Sequence, residues 1–475
     1  MIKINAKDNV AVLLENYGSI PRGHKAAVFD IKKGETVIKY GFPIGVATAD
    51  IKAGEHVHIH NLKSGLSGEN TYIYKPEPLP QLTKKQGEFQ AYLRTDGRVG
   101  IRNEIWLINT VGCINKVSEK IALKANEKHA GKTDGIFAVT HPYGCSQLGD
   151  DHNNTVKILA RIAGHPNSAG VLVLGLGCEN NSICEFKNSL GDYNEKRVKF
   201  LTVSECENET EDALKLIDEI VNEIQNERRV SLGLDKLIIG LKCGGSDAFS
   251  GITANPLVGR ITERVCEYGG TAVLTETPEM FGAEFILMNR CKSETEFNKA
   301  VNMINNFKRY FIDHGQKVYE NPSPGNKDGG ITTLEEKSLG CIQKGGTGVV
   351  SDVLNYGEQV TGTGLVLLDG PGNDIVSTTA LTAAGCHLIL FTTGRGTPLG
   401  AFAPTIKISS GSPLALKKAN WTDYDAGKLL NGASMEEMTD ELWDLVIACA
   451  EGRVRTKSEL NDYREFAIFK NGVTL

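Results

Sequence analysis

The sequence predicts an α/β protein in which a large region built on a mostly parallel sheet follows a small all-β domain. The first 74 residues are rich in β-branched residues and turn glycines, a composition typical of short strands. From Glu88 onward, apolar runs of strand length alternate with helical stretches, which is typical of a parallel sheet. A chain of 475 residues is long enough for two or three domains.

The small domain is expected to span residues 1–74 and contains a short internal sequence repeat. DIKKGE begins at Asp30 and DIKAGE begins at Asp50, and each predicts a strand that enters a glycine turn before another strand. Residues 75–90 follow, with three prolines in KPEPLP and no periodicity. This composition predicts an extended linker.

Three histidines of the small domain occupy alternate positions: His56, His58 and His60. On a strand they would share one face, with Val57 and Ile59 on the other. His24 could approach the same face from an earlier strand. Clustered imidazoles can bind a divalent metal ion or transfer protons at neutral pH. The alternative is an exposed polar face whose apolar side packs on the core.

The α/β region is expected to form two domains. The first, residues 91–320, has apolar runs near residues 105–111, 136–140, 171–176, 199–203 and 236–241. A Pro/Gly-rich break at Asn321 to Gly330 ends it. The second, residues 331–475, repeats the alternation and finishes in a helical tail.

Five apolar runs end in, or run past, a cysteine: Cys113, Cys145, Cys178, Cys243 and Cys386. The carboxyl ends of parallel strands form the crevice where ligands bind, and thiolates are soft donors suited to iron or iron–sulfur clusters. The alternative is that each cysteine is a small buried hydrophobe. An odd number of cysteines, eleven, does not predict a disulfide framework and fits a reducing cytoplasm.

Polar side chains in other strand-end loops are candidates for holding a substrate. Arg98, Arg102 and Asn103 lie in GRVGIRN, where arginine forks suit a carboxylate, with surface salt bridges as the alternative. Further candidates are Gln147, Glu276, Lys337 and Arg395. No G-x-G-x-x-G, P-loop or G-x-S-x-G motif occurs in the required context, so a nucleotide cofactor is not predicted.

Composition argues against two classes of partner. The net charge of −6 does not favour nucleic acid, and no run of 18 apolar residues predicts a membrane span. The first residues lack the features of a secretory signal, so a cytoplasmic location is expected. A homo-oligomer is compatible with the sequence, which does not fix the oligomeric state.

The motifs together resemble the altronate/galactarate dehydratase family. They occur in order along essentially the whole chain: IPRGHK, VHIHN, HPYGCSQ, LGLGCEN, KCGGSD, TETPEMFGAE, GGITTLEEKSLG and FTTGRGTPLG. The resemblance implies an amino-terminal SAF-type, β-clip-like domain before the α/β region, and a need for iron or another divalent cation. It also implies loss of water from a sugar acid, foremost conversion of D-altronate to 2-dehydro-3-deoxy-D-gluconate. Galactarate, or another aldonate or aldarate, is the alternative substrate.

Dehydration of a 2,3-dihydroxy acid requires three chemical functions, which side chains of these residues can supply. A base removes the proton at C2, cations stabilise the enediolate, and the C3 hydroxyl leaves with acid assistance. The residues expected to take part in catalysis are His24, His58, His60, Glu276 and Lys337. Alternatives of another class are a sugar-acid isomerase and a non-catalytic carbohydrate-binding protein.

Two metal hypotheses follow. One is a mononuclear Fe²⁺ or Mn²⁺ site made by imidazoles, such as His24, His58 and His60. The other is a [4Fe–4S] cluster held by three thiolates with one iron left open. The thiolate candidates are Cys113, Cys145, Cys178 and Cys243.

Overall fold

The amino-terminal residues form two small antiparallel sheets, as their β-branched sequence predicts. A computed structural model of the protein describes residues 1–78 and 83–475. Residues 79–82 of the expected linker 75–90 lie outside the described residues. The strands are β1 (Val10–Val12), β2 (Lys25–Ala27), β3 (Thr36–Lys39), β4 (Phe42–Ala47), β5 (His56–Val57) and β6 (Leu62–Lys63). They pair in the orders β1-β2-β5 and β3-β4-β6.

A four-stranded parallel sheet comes next, in the order β10-β9-β11-β12. The elements of this part are β7 (Glu88–Leu93), β8 (Val99–Gly100), β9 (Glu104–Asn109), α1 (Asn115–Lys128), β10 (Ile136–Val139), α2 (Gly149–Ala163), β11 (Ser168–Gly175), α3 (Ile183–Leu190), β12 (Val198–Thr202), α4 (Glu209–Ile224) and β13 (Val230–Gly233). Strands β7, β8 and β13 form a separate antiparallel sheet.

The rest of the chain builds a seven-stranded sheet in which every pair is parallel. Its order is β16-β17-β15-β14-β18-β19-β20. The elements are β14 (Ile238–Cys243), α5 (Ala254–Glu267), β15 (Thr271–Leu274), α6 (Glu284–Met288), α7 (Glu294–Asp313), α8 (Pro324–Asp328), α9 (Leu334–Cys341), β16 (Val350–Leu354), β17 (Gly364–Leu368), α10 (Asp374–Ala383), β18 (Leu388–Thr393), β19 (Thr405–Ser409), α11 (Ser412–Lys417), β20 (Tyr424–Asp425), α12 (Met435–Ala450) and α13 (Lys457–Leu460).

The predicted fold class is confirmed: small antiparallel sheets precede a parallel-sheet α/β region. The domain bounds 91–320 and 331–475 stay a prediction. Strands from both ranges share the seven-stranded sheet, since β14 and β15 pair with β18 and β17. The chain therefore crosses from the four-stranded to the seven-stranded sheet after α4, well before the Pro/Gly-rich segment.

The small domain packs on the α/β region, where β4 contacts helix α9. One hydrophobic cluster contains Val37 and Ile44 of the small domain together with Leu241 and Leu257 of the α/β region. Burial of a shared apolar cluster stabilises the association of the two parts. The small domain is therefore integral to the fold and places its side chains against the larger region.

The expected strand through the histidines is shorter than predicted. Strand β5 stops at Val57, and residues 58–60 form a turn. Asn61 stabilises this turn, because its Oδ1 accepts a hydrogen bond from the His58 backbone N–H and its Nδ2 donates to the His56 carbonyl. The expected pairing of Val57 and Ile59 on one apolar face is wrong, since Val57 is buried and Ile59 is exposed.

Helices of the described residues are all too short or too polar to cross a membrane.

Candidate active site

Three histidines of the small domain converge on one point, and we call His24, His56 and His58 the imidazole cluster. One ring nitrogen from each lies within 4.8 Å of the others. His24 Nδ1 lies 3.0 Å from His56 Nε2. His60 is exposed, and its ring centre lies 5.3 Å from that of His56. The turn after β5 thus achieves the clustering that a longer strand was expected to give.

Burial keeps the imidazole cluster uncharged. It lowers the pKa of His56 to about 4 and that of His58 to about 3, and it lowers the pKa of His24 as well. Desolvation disfavours the charged ring, and the neighbouring imidazoles and Lys25 add to the effect in His56 and His58. Neutral imidazoles offer lone pairs to a cation, so the donors fit a divalent metal ion.

The α/β region holds the imidazole cluster in place from the other side. His24 Nε2 lies 3.2 Å from the Asp328 carbonyl, and His58 Nδ1 lies 2.9 Å from Thr332 Oγ1. Asp328 is the last residue of α8, and Thr332 lies in the segment that joins α8 to α9. The cluster is therefore assembled within the small domain and is held from one side by the α/β region.

A buried ion-pair network anchors that interface. Glu336 on α9 accepts hydrogen bonds from Lys25 and Lys39 of the small domain, each at 2.8 Å. Although burial raises it, pairing with these lysines lowers the pKa of Glu336 to about 2. Lys25 also donates to Thr332 Oγ1 at 2.5 Å. One carboxylate thus fixes both β2 and β3 against α9.

A second cluster lies at the carboxyl edge of the seven-stranded sheet, and we call it the carboxylate–lysine cluster. Its members are Lys242, Glu276, Glu279, Lys337, Cys341 and Lys344. Lys242 and Lys344 both pair with Glu276, the latter at 2.9 Å. Glu276 has a left-handed φ of 74°, which a non-glycine residue adopts at a cost of about 1–3 kcal/mol. The surrounding pairs hold this backbone in place.

One side of the carboxylate–lysine cluster faces a cavity of about 610 Å³. Lys337 Nζ donates to Glu279 Oε1 at 2.8 Å and to Asn326 Oδ1 at 3.2 Å. Burial opposes its charge, but Glu279 nevertheless raises the pKa of Lys337. Cys243 and Asp374 also line the cavity. The cavity therefore presents an ammonium group beside carboxylate and amide oxygens.

Consecutive residues of one segment contact this cavity and the imidazole cluster. Residues 320–324, 326 and 327 line the cavity, and Asp328, whose carbonyl contacts His24, follows directly. Helix α9 carries Lys337 to the cavity and Glu336 to the small domain. The same short segment thus serves both clusters.

Three of the predicted thiol ligands form a third feature, the thiol rim: Cys113, Cys145 and Cys178. They follow β9, β10 and β11, which are neighbours in the four-stranded sheet, and all three are exposed. Among the described residues, their sulfurs do not converge within 4.8 Å of one another as the imidazole nitrogens do. Thiolates that bind different irons of one cluster are spaced more widely than ligands of a single ion.

Backbone hydrogen bonds join the loops of the thiol rim. The Gly112 N–H donates to the Tyr143 carbonyl at 2.8 Å, and the Asn181 N–H donates to the Gly144 carbonyl at 3.1 Å. A Cβ at Gly144 would lie 1.9 Å from the Thr110 carbonyl oxygen, so only glycine allows this approach. The three loops are thereby held as one surface.

The remaining cysteines of the five apolar runs lie elsewhere. Cys243 ends β14 in the other sheet, is buried, and contacts Ser246 Oγ at 2.5 Å. Cys386 precedes β18 and is packed in an apolar cluster. The structure therefore places three of the four predicted metal ligands on loops at one edge of the four-stranded sheet, and it places Cys243 at the cavity.

The predicted substrate-binding residues are dispersed. Gln147 is buried beneath the thiol rim, where its Oε1 accepts from the Gly144 N–H at 3.0 Å. Arg395 is exposed beside the cavity, and its backbone N–H donates to the Gly245 carbonyl at 2.7 Å. Asn103 is buried and accepts a hydrogen bond from Arg94 at 2.9 Å.

The two predicted arginines lie away from these clusters. Arg102 is fully buried and pairs with Glu459 at 2.7 Å, and it also donates to the Cys449 carbonyl. Arg98 is exposed and lines a different cavity, of about 460 Å³. The geometry gives no support to a substrate contact by Arg102, because its donors bind protein groups.

Sequence reasoning missed the lysines Lys242 and Lys344 and the thiol of Cys341. Lys242 carried a usable signal, because a lysine at the end of the apolar run KLIIGLK must find a buried counter-ion. Cys341 Sγ lies 2.8 Å from Lys344 Nζ, a contact within one helical end that no motif predicted.

Three family descriptions match consecutive parts of the chain. The altronate/galactarate dehydratase SAF domain matches residues 16–65. The second domain of D-galactarate dehydratase/altronate hydrolase matches residues 91–225, and the C-terminal domain of D-galactarate/altronate dehydratase matches residues 234–474. The last two ranges follow the division between the four-stranded and seven-stranded sheets.

Full-length relatives agree with these matches. An altronate dehydratase of Escherichia coli (strain K12) is 50% identical, and the alignment covers 100% of this chain and 99% of the relative. An altronate dehydratase of Bacillus subtilis (strain 168) is 48% identical with the same coverage. The galactarate dehydratase (L-threo-forming) of Escherichia coli (strain K12) is 30% identical over 96% of this chain and 94% of the relative.

Proposed function

The chain belongs to the D-galactarate/altronate dehydratase family, and on that premise we propose that it converts D-altronate to 2-dehydro-3-deoxy-D-gluconate and water. The enzyme is a hydro-lyase. The observation that supports D-altronate as the substrate is the full-length identity of 50% and 48% to two altronate dehydratases, against 30% to a galactarate dehydratase.

We assign substrate binding to the 610 Å³ cavity beside the carboxylate–lysine cluster. Its size is within the range of small-molecule sites, and Lys337 presents a positive charge toward it. An ammonium held in a buried site stabilises the charge that develops on an enediolate. Glu279 and Asn326 orient Lys337, and Arg395 lies at the exposed side for a carboxylate.

Glu276 takes a positioning role in this proposal. Its side chain is fully buried and pairs with Lys242 and Lys344, so it does not face the cavity directly. Its Oε2 also accepts a hydrogen bond from the Cys243 backbone N–H at 3.1 Å. The carboxylate thereby fixes the end of β14 at the wall of the cavity.

We assign the divalent cation to the imidazole cluster, with iron as the preferred ion and Mn²⁺ as the alternative. Three neutral ring nitrogens within 4.8 Å are a suitable donor set. A cation held there would supply Lewis-acid stabilisation to carboxylate and leaving-group oxygens. His60 is the fourth imidazole, exposed and close to His56, and we assign it to proton transfer at C2.

The thiol rim is a candidate site for iron in a second form, an iron–sulfur cluster. Three exposed thiols on adjacent strand ends suit the three thiolates of a [4Fe–4S] cluster, with Cys243 left to the cavity wall. Analysis of iron and acid-labile sulfide in anaerobically purified protein separates the two forms. About four irons with equal sulfide would favour the thiol rim, and metal without sulfide would favour the imidazole cluster.

The activity itself is tested by release of a 2-keto acid from D-altronate and from galactarate, with Fe²⁺ or Mn²⁺ added. We expect keto acid from D-altronate at the higher kcat/KM. Formation only from galactarate would contradict the substrate, and formation from neither would contradict the reaction. Neither an isomerase nor a binding protein would release this product.

We also propose a cytoplasmic location, which the eleven free thiols support because reducing compartments keep cysteines unpaired. A homo-oligomer stays a prediction, which sedimentation of the purified enzyme would test.

A further inference from the structure

A second cavity, unrelated to the clusters above, opens at the amino edge of the four-stranded sheet. It has a volume of about 460 Å³ and is lined by residues 168–171 at the start of β11 and by Val198 at the start of β12. The thiol rim lies at the opposite end of the same strands. Because β11 has eight residues, the two ends are separated by about 25 Å.

Four arginines line this cavity: Arg94, Arg98, Arg161 and Arg197. Only two lining residues, Asp96 and Asp192, are acidic. Arg98 pairs with Asp96, and Glu227 behind the wall pairs with both Arg94 and Arg197. Four positive charges therefore face three negative ones. The excess positive charge lies on arginines that have unused hydrogen-bond donors.

Arg197 supplies the more informative of these unused donors. The residue is only 9% exposed, and its buried Nε has no hydrogen-bond partner among the described residues. A buried N–H without an acceptor is destabilising, and more so when the group is charged. Nε is shielded from solvent, whereas Nη1 is accessible and has no partner among the described residues, so Nη1 is the donor that an acceptor in the cavity would meet.

Arg161 supplies a second cation with free donors. It projects from the last turn of α2, and its only side-chain contact among the described residues is a 3.2 Å hydrogen bond to Gln359 Oε1. No carboxylate of the described residues pairs with it. A guanidinium in this state is suited to binding a carboxylate or phosphate with two parallel hydrogen bonds.

We propose that this cavity is a second binding site, for a small anion that carries a carboxylate or phosphate group. Its volume is that of a small-molecule site, and Tyr193, Asn194 and Thr95 add polar groups to the wall. Arg98 fits this assignment too, since it lines this cavity rather than the one beside Lys337. The ligand is bound at the sheet edge remote from the thiol rim.

The test is calorimetric titration of the full-length, metal-loaded enzyme with two probes, inorganic phosphate and succinate. We expect saturable binding of at least one, with a Kd in the millimolar range or tighter, and the stronger probe identifies the anionic group. Arg161→Gln and Arg197→Gln should each weaken it by about tenfold or more, which is the value of one charge-assisted contact.

The matched control is Arg260→Gln, an exposed arginine paired with Glu263 outside the cavity, which should leave binding unchanged. Arg161→Gln removes only the contact to Gln359, so this variant is expected to fold even if Arg197→Gln, which loses its pair with Glu227, does not. Absence of saturable binding by both probes, or binding that survives Arg161→Gln, would overturn the proposal.

Discussion

The imidazole cluster and the thiol rim are both candidate iron sites, but they are built in opposite ways. The imidazole cluster is largely buried, its nitrogens converge within 4.8 Å, and its supports come from segments separated by about 300 residues of chain. The thiol rim is exposed, and its ligands stand on three loops of one local sheet. The comparison teaches that the imidazole cluster is supported by contacts across the domain interface, whereas a cluster site on the thiol rim would depend only on the four-stranded sheet.

The sharpest way to decide between the two regions is to remove one donor from each. We expect His58→Ala to lower kcat/KM for D-altronate by about 100-fold or more and to remove bound iron, because a site with two imidazoles holds the ion weakly. Cys145→Ser should retain most of the iron.

The measurement is iron content and keto-acid formation on the same preparations. Cys184→Ser is the matched control, since Cys184 is also exposed but lies on α3 outside the thiol rim. If Cys145→Ser loses the iron and His58→Ala keeps it, the iron belongs to the thiol rim.

Loss of the carboxylate that docks the small domain should have the next largest effect. Glu336→Ala leaves Lys25 and Lys39 buried without a counter-ion, which should lower the free energy of unfolding by about 3–5 kcal/mol. Glu69→Ala breaks an exposed pair with Arg309 and should lower the free energy of unfolding much less than Glu336→Ala does. Equal effects of the two variants in urea unfolding would show that Glu336 does not anchor the interface.

Acid should weaken both regions in the same pH window. Glu336 supports the imidazole cluster, and Glu459, paired with Arg102, supports the amino end of the four-stranded sheet whose carboxyl end carries the thiol rim. Each pKa is raised by burial but lowered overall to about 2 by its cationic partners, from an ordinary 4.5.

Because these folded-state pKa values are depressed, the stabilisation is complete above pH 4.5 and is lost as pH falls from 4.5 toward 2. Each group contributes roughly 3 kcal/mol. Denaturant titrations across this pH range should show that the free energy of unfolding falls. Glu459→Gln should make the free energy of unfolding depend less steeply on pH. A slope unchanged by this variant would refute the contribution of Glu459.

The smallest effect expected is at the hydrogen bond that orients His58. Thr332→Val removes the hydroxyl at 2.9 Å from His58 Nδ1, and partners of this kind contribute about tenfold to metal affinity. Thr332→Ser keeps the hydroxyl and should restore affinity. Competition with a chelator measures the change, and equal affinity of all three proteins would show that Thr332 does not orient the ring.

Local pattern was enough to predict much of this architecture. The fold class followed from β-branched residues before Glu88 and from strand–helix alternation after it, because each signal reports on its own segment. The thiol rim followed from cysteines at strand ends, since neighbouring parallel strands end at one edge. A histidine cluster was also predicted, but the imidazole site was expected from His24, His58 and His60, whereas His56 takes the place of His60 in the structure.

Contacts between distant segments could not be predicted from pattern. The pairing of Lys25 and Lys39 with Glu336 joins residues about 300 positions apart, and no local signal reports it. The strand order of the seven-stranded sheet could not be predicted either, because β14 pairs with β18 although β15 to β17 lie between them in sequence. Arg102 looked like a ligand group by residue type, while its burial against Glu459 depends on the far end of the chain.

The separation of His24 from Asp328 has a consequence for how the protein is made. The two residues in contact are 304 positions apart in sequence. At a synthesis rate of about 5–20 residues per second, the small domain leaves the ribosome roughly 15–60 s before its docking segment exists. During that interval the histidines have no wall behind them. The contacts that hold His24 and His58 from the α/β region are therefore completed only when translation is almost finished.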